Sequence, residues 1–256
     1  VGSKNHMKHL FVETPQILGQ GQVLSKWDPH NKYLAAVGTN YRVRIYARNG
    51  SVLNEFALLS KHDVLNIDWD RDGDTVAVAQ QQQSMVLLYD VATQKVTKLN
   101  TDLKKLTFLA WNRGSSSTTT DDDHEDHGND NLLSIGCSKG NLLLYNKLTL
   151  RKQLVMGKHS KKILYGAWSC SNKLALVAKD KVLTISDIDG NTVSQTHLKQ
   201  TPTDLQFGTQ MSDHRQKSEV RTQCVEEDTI SMCMNGRTLY LCFVHSLSSS
   251  SSQPIE

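Results

Sequence analysis

The sequence predicts an all-β fold built from about five copies of one four-stranded unit. Three observations point there. The four tryptophans recur at a near-constant stride: 69 − 27 = 42 and 111 − 69 = 42 residues, then 168 − 111 = 57. The long gap contains GSSSTTTDDDHEDHGND at 114–130, and removing 57 − 42 = 15 residues restores the period. The text around each tryptophan also repeats. The copies read KWDPHNKYLAAVGTNYRVRIYARNG, DWDRDGDTVAVAQQQQSMVLLYDVATQ, AWN…NLLSIGCSKGNLLLYNKLTLR and AWSCSNKLALVAKDKVLTISDIDGN. Within each copy apolar and polar residues alternate, which is the period of a strand and not of a helix.

Each copy opens with an apolar strand ending in Trp: QVLSKW, VLNIDW, KLTFLAW and KILYGAW. A polar turn follows, then an alternating strand, a tight turn and a second alternating strand. The turns RNG, ATQ, KLT and IDG supply residues suited to short hairpins. A more polar fourth strand (SVLNEF, KVTKLN, RKQLVM, NTVSQTHL) suits an outer edge facing water. Four strands on a stride of 40 to 45 residues are the signature of a WD40-type β-propeller blade. The blades are expected at 22–57, 64–100, 106–156, 163–198 and 202–244. The fifth copy starts at PTDLQF with Phe207 at the Trp position, breaks near 208–228, and resumes at DTISMCMNGRTLYLCFV.

The tryptophan rings are expected to close the gaps between neighbouring blades. His62 and His159 precede strands in SKHDVL and GKHSKKI, where such repeats carry a His bonded to a turn Asp; that structural role is the favoured reading.

The totals bound the function. The chain has 256 residues, 38% hydrophobic and 21% charged, with a net charge of +3. That balance argues against nucleic acid, and no stretch approaches the ~20 apolar residues of a transmembrane helix. VGSKNHM reads as an expression-tag remnant at 1–6 with the natural chain starting at Met7, a propeller over 7–247 and a flexible tail at 248–256. The five cysteines form no CxxC and sit mostly in apolar runs, so they are expected to be reduced, mostly buried thiols of an intracellular protein.

No catalytic motif is present: there is no P-loop, GxSxG, HExxH or Rossmann glycine pattern. GQG at 19–21 is a turn, and Ser169-Cys170-Ser171 lies in a turn with no base nearby in sequence. DDDHEDH at 121–127 has divalent-metal ligand types, but its Ser/Thr/Asp context predicts a solvated loop without fixed geometry. No metal and no cofactor is expected. The candidate partner-binding surface is Lys158, Lys161 and Lys162, in the connection between the third and fourth repeats. Propellers present such loops on their flat faces, where an acidic partner or anionic head groups would meet them.

With the repeats laid out, the chain resembles the N-terminal WD-repeat propeller of the intraflagellar transport protein 144 family. The resemblance rests on YLAAVGTNYRVRIYARNG, IDWDRDGDTVAVAQ, GNLLLYN, GKHSKKILYGAWS, LALVAKDKVLTIS and DIDGNTV, and covers most of residues 8–207. It implies a non-enzymatic interaction scaffold within the intraflagellar transport A complex, acting in retrograde ciliary transport and ciliary cargo entry. It also implies other subunits of that complex, and ciliary membrane cargo or its adaptors, as partners. The location implied is the cilium or flagellum and basal body, on the cytoplasmic side.

The family propeller is expected to have seven blades, so five repeats imply a truncated part of one. KHLFVE at 8–13 is a candidate closing strand for the last blade. An arc left open would expose apolar faces and favour dimers. The alternatives are the propeller of a vesicle-coat subunit, or a propeller enzyme with its site at the central channel. The innermost strands offer no matching His or Glu set for the latter.

Overall fold

The computed structural model describes residues 11–112, 114, 131–208, 228–234 and 238–244. The tag remnant, the cluster 121–127, the break at 209–227 and the tail lie outside them. Two compact units are present, one of residues 1–111 with 133–138 and one of 112–132 with 139–256.

In the first unit, β1 (Leu24–Trp27), β2 (Tyr33–Val37), β3 (Arg42–Ala47) and β4 (Val52–Ala57) form one antiparallel sheet in chain order. The next sheet repeats this with β5 (Val64–Trp69), β6 (Thr75–Gln80), β7 (Met85–Asp90) and β8 (Lys95–Asn100). A third contains β9 (Leu106–Trp111), β10 (Leu132–Cys137), β11 (Leu142–Asn146) and β12 (Lys152–Val155); the division between units falls inside it, after β10. The second unit continues with β13 (Ile163–Trp168), β14 (Leu174–Ala178), β15 (Val182–Ser186) and β16 (Thr192–His197). Last come β17 (Pro202–Gly208), β18 (Asp228–Met234) and β19 (Thr238–Val244), so the fifth sheet has three strands among the described residues.

Alternation sets the core. Ala35, Val37, Val43 and Ile45 project from one face of the first sheet onto Ile67, Trp69, Val76, Val78, Leu87 and Tyr89 of the second. In the second unit Ala175, Val177, Leu183 and Ile185 meet Leu205, Ile230, Met232 and Met234 in the same way. The second strands depart from the expected apolar–polar alternation. β6, β10 and β14 are buried along their whole length. Sheets covered on both faces need apolar residues on both. In β6 the alternation is therefore one of size, Val against Ala. The fourth strands are the exposed ones, and β16 is exposed throughout.

The tryptophans divide. Trp69 and Trp111 are fully buried, and the Trp69 indole Nε1 donates to the Lys26 carbonyl of the preceding sheet at 2.8 Å. Trp168 is half-buried. Trp27 is 42% exposed and closes no gap. A ring that reaches back to the preceding sheet needs one, and none precedes β1 among the described residues.

The described part of KHLFVE, Phe11–Glu13, forms no strand. Phe11 stacks on Tyr46 of β3 with centroids 5.3 Å apart, and Glu13 accepts from the Tyr46 hydroxyl at 2.9 Å. A single helical turn, α1 (Pro15–Leu18), follows. The four described cysteines are free thiols; Cys137 is buried and Cys170, Cys233 and Cys242 are partly so.

Candidate functional site

The three candidate lysines sit in the β12–β13 connection. Its start is fixed by Gly157, whose N–H donates to Asn141 Oδ1 at 2.9 Å and whose φ of +65° favours glycine. Its centre lies so close to Gly140 that a Cβ there would run into the main-chain carbonyls of His159 and Lys161.

Lys158 is a strut. Its half-buried Nζ donates to the Gly190 carbonyl at 2.8 Å and to Thr192 Oγ1 at 2.7 Å, tying the connection to the turn between β15 and β16. Burial pushes its pKa down to about 8, and the Asp187 carboxylate works against that. Lys161 and Lys162 are exposed. The three lysines therefore differ in setting: Lys158 is half-buried and bonded to the β15–β16 turn, and Lys161 and Lys162 are exposed.

His159 is buried between them and the sheet. Its Nδ1 lies 3.3 Å from Asp180 Oδ2 and its Nε2 3.1 Å from Thr184 Oγ1. Burial pushes its pKa below the ordinary value; Asp180 raises it and Lys158 lowers it. Burial also raises the Asp180 carboxyl, but the Val182 N–H, His159 and Ser160 outweigh that and hold it low. An ionised carboxylate only accepts, so Nδ1–H donates to Asp180 and Nε2 accepts from the Thr184 hydroxyl. Ser160 Oγ bonds Asp180 at 3.2 Å and not the imidazole. With both ring nitrogens engaged by buried or turn groups, His159 acts as a clamp holding the connection to the β14–β15 turn, as the sequence suggests.

His62 does not match that expectation. It is exposed, and the β6–β7 turn, Gln81–Ser84, contains no Asp to receive it. The buried Gln80 takes over. Its Oε1 accepts from the N–H groups of Leu59 and Ser60, and its Nε2 donates to the carbonyls of Ser60 and His62, both at 2.8 Å. A Gln closing the otherwise apolar run of β6 was the clue to this in the sequence.

The residue after each tryptophan is a further role the sequence reading missed. Asp28 accepts from the N–H groups of His30, Lys32 and Tyr33, and Asp70 from those of Asp74 and Thr75. Asn112 accepts from Gly114 N–H, and Ser169 from Lys173 N–H. A short acceptor at one fixed position folds the first turn of four copies, which also assigns Ser169 to a turn.

The sheets of the first unit are stitched by polar groups on their inner strands. Asp68 Oδ1 pairs with Lys26 Nζ at 2.9 Å and its Oδ2 accepts from Trp111 N–H at 2.7 Å. Asn66 Nδ2 donates to the Leu109 carbonyl at 2.7 Å. Among the described residues no three His, Cys, Asp or Glu side chains are grouped to hold a metal. No described helix is long and apolar enough to cross a membrane.

The model of the WDR19 first beta-propeller family matches residues 23–256. WD repeat-containing protein 19 of Mus musculus is 36% identical over 210 residues, 82% of this chain and 14% of that protein. The Homo sapiens protein of the same name is 34% identical over 209 residues, 81% and 14%. The WD repeat-containing protein dyf-2 of Caenorhabditis elegans is 29% identical over 194 residues, 74% and 13%. The chain thus spans about one seventh of the length of these relatives. The match runs through all five sheets and agrees with the resemblance to the N-terminal propeller of intraflagellar transport protein 144; the chain belongs to the WDR19 first beta-propeller family.

Proposed function

We propose that this chain is a non-enzymatic interaction scaffold, part of a subunit of the intraflagellar transport A complex acting in retrograde ciliary transport and ciliary cargo entry. Its partners on this reading are other subunits of that complex, and ciliary membrane cargo or its adaptors. Its location is the cilium or flagellum and basal body, on the cytoplasmic side. The observation that carries the reading is the family match over residues 23–256. The fate of the polar side chains supports it. Asp68, Gln80, Lys158, His159 and Asp180 are engaged in joining strands and connections, and function has to be argued from what a site presents. Lys161 and Lys162 are the proposed contacts in the β12–β13 connection.

The test is affinity purification of the full-length gene product from ciliated cells. Co-purification of other transport A subunits, reduced by K161E/K162E, supports the proposal. Recovery of vesicle-coat or ubiquitin-ligase components alone overturns it and favours the coat-subunit alternative.

A further inference from the structure

The rim of the third sheet differs from those of the first, second and fourth sheets; in the fifth, β19 exposes Leu239, Tyr240 and Leu241. The fourth strands of the first, second and fourth sheets expose only one or two large apolar side chains each: Val52 and Leu53, Val96, and Val193. Around β12 there are four in nine residues: Leu148 (61% exposed), Leu150 (70%), Leu154 (44%) and Met156 (67%). Leaving four such side chains in water forgoes their burial, which marks the place as a contact surface.

The display is rigid. Asn146 Oδ1 accepts from the N–H groups of Leu148 and Thr149, both at 2.9 Å, and Asn146 N–H donates to the Arg151 carbonyl. Leu150 sits at φ +57°, in the left-handed region that a leucine rarely enters. On β12, Gln153 Nε2 donates to the Asp189 carbonyl and Val155 packs near Gly190, so these two face the β15–β16 turn. Leu154 alternates with them and faces the other way, and the exposed Met156 follows in the turn after β12. β12 is also the last strand of its sheet, and no described strand pairs with its outer edge.

The sequence running through this rim is basic, while Asp187 and Asp189 stand beside it on the β15–β16 turn. From Asn131 to Lys179 there are nine Lys or Arg (139, 147, 151, 152, 158, 161, 162, 173 and 179) and no Asp or Glu, in a chain whose net charge is +3. Arg151 and Lys152 are exposed beside the apolar quartet.

We infer that the outer edge of β12 takes an extended segment of a partner protein, in which acidic and apolar residues alternate, as an added fifth strand. Main-chain bonds to the open edge fix the segment, its apolar side chains cover Leu154 and Met156, and its carboxylates meet Arg151 and Lys152. A strand fits this edge better than a lipid surface, because head groups have no use for a row of main-chain donors and acceptors in register. The inference rests on the scaffold reading and deepens it by naming a partner chemistry, adding a contact at the rim to the one at the lysine connection.

The test uses the full chain and a fluorescein-labelled decapeptide of alternating valine and glutamate, read by fluorescence anisotropy. Binding is expected, and L154S/M156S and R151E/K152E are each expected to weaken it at least about tenfold. Methylating alternate main-chain nitrogens of the peptide should weaken it as much. Unaltered far-ultraviolet circular dichroism checks the fold of each variant, and L148S serves if one fails to fold. Three results overturn the inference: a polyglutamate decapeptide binding equally well, binding that survives the rim variants, or rim-dependent binding to phosphatidylserine vesicles with none to the peptide. The peptide involves no transport subunit. Failure here therefore leaves the co-purification result standing, and the reverse also holds.

Discussion

Replacing Asp68 separates two kinds of stitch. The carboxylate pairs with Lys26 of the first sheet and accepts the main-chain N–H of Trp111 from the third. Lys26 is 42% exposed in its side chain, so that pair is screened and contributes at most about 1 kcal/mol. Trp111 is buried, and its N–H, robbed of an acceptor, costs about 1–3 kcal/mol. Asp68→Ala loses both and is expected to cost about 2–3 kcal/mol. Asp68→Asn keeps an oxygen for Trp111 and is expected to cost about 1 kcal/mol or less. In urea, with a slope of about 2–3 kcal/mol per molar, the Ala variant moves the midpoint of tryptophan fluorescence down by about 1 M and the Asn variant by less than half of that. If Asn proves as damaging as Ala, or Lys26→Met proves worse than Asn, the ion pair and not the N–H acceptor holds the sheets, and the reasoning fails.

Gln80→Leu should cost about 1–3 kcal/mol in the same assay and speed hydrogen exchange at Leu59 and Ser60, leaving Ile67 protected; unchanged exchange at both would show that water replaces the amide freely. His159 has a folded pKa held below its ordinary 6.5, so its contribution to stability is full above about pH 6.5 and is lost as pH falls through the folded value; Asp180, also lowered, adds a loss in more acid solution. The melting temperature should therefore drop between pH 7 and 5, and His159→Gln should flatten that slope; a parallel slope in the variant would count against it. Trp27→Phe should reduce acrylamide quenching more than the same change at any other tryptophan, since Trp27 is the most exposed of the four; an equal effect from Trp69→Phe would contradict the assignment.

The sheets were legible because a large ring recurs at one place in each copy, and the turns because a polar stretch follows it. The clamp at His159 was legible because Asp180 stands in the turn that faces it. The same logic failed at His62, where Gln80 performs the work through an amide, a group with no pattern of its own. The bonds of Lys158 were not legible either, because it looks like any surface lysine until the β15–β16 turn is brought against it. The burial of β6 on both faces escaped notice because Val–Ala alternation looks like a half-exposed strand. Nothing in the local sequence of LTLRKQLVM distinguishes an exposed rim from an apolar strand; only the placement of β12 at the end of its sheet does so.

The stitches between sheets share one separation. Trp69 Nε1 to the Lys26 carbonyl, Trp111 N–H to Asp68 and Asn66 Nδ2 to the Leu109 carbonyl each span 43 residues, one repeat plus one position or its reverse. In the first two of these the residue before a tryptophan, Lys26 or Asp68, is the contact point for the next copy. Such variety is tolerated where the acceptor is a main-chain carbonyl, as for Trp69. It is not tolerated where the side chain accepts, as at Asp68. Trp111 differs in a second way: its indole Nε1 is buried with no hydrogen-bond partner among the described residues. Trp69→Phe therefore removes a 2.8 Å hydrogen bond along with ring volume, whereas Trp111→Phe removes similar volume and relieves an unpaired donor. Both rings are fully buried, so the difference isolates the hydrogen bond. Trp69→Phe should be the more destabilising by about 0.5–1.5 kcal/mol in urea unfolding followed by circular dichroism. Equal losses, or a larger one at Trp111, would mean that ring packing alone joins the sheets and that the shared spacing of these bonds has no energetic meaning.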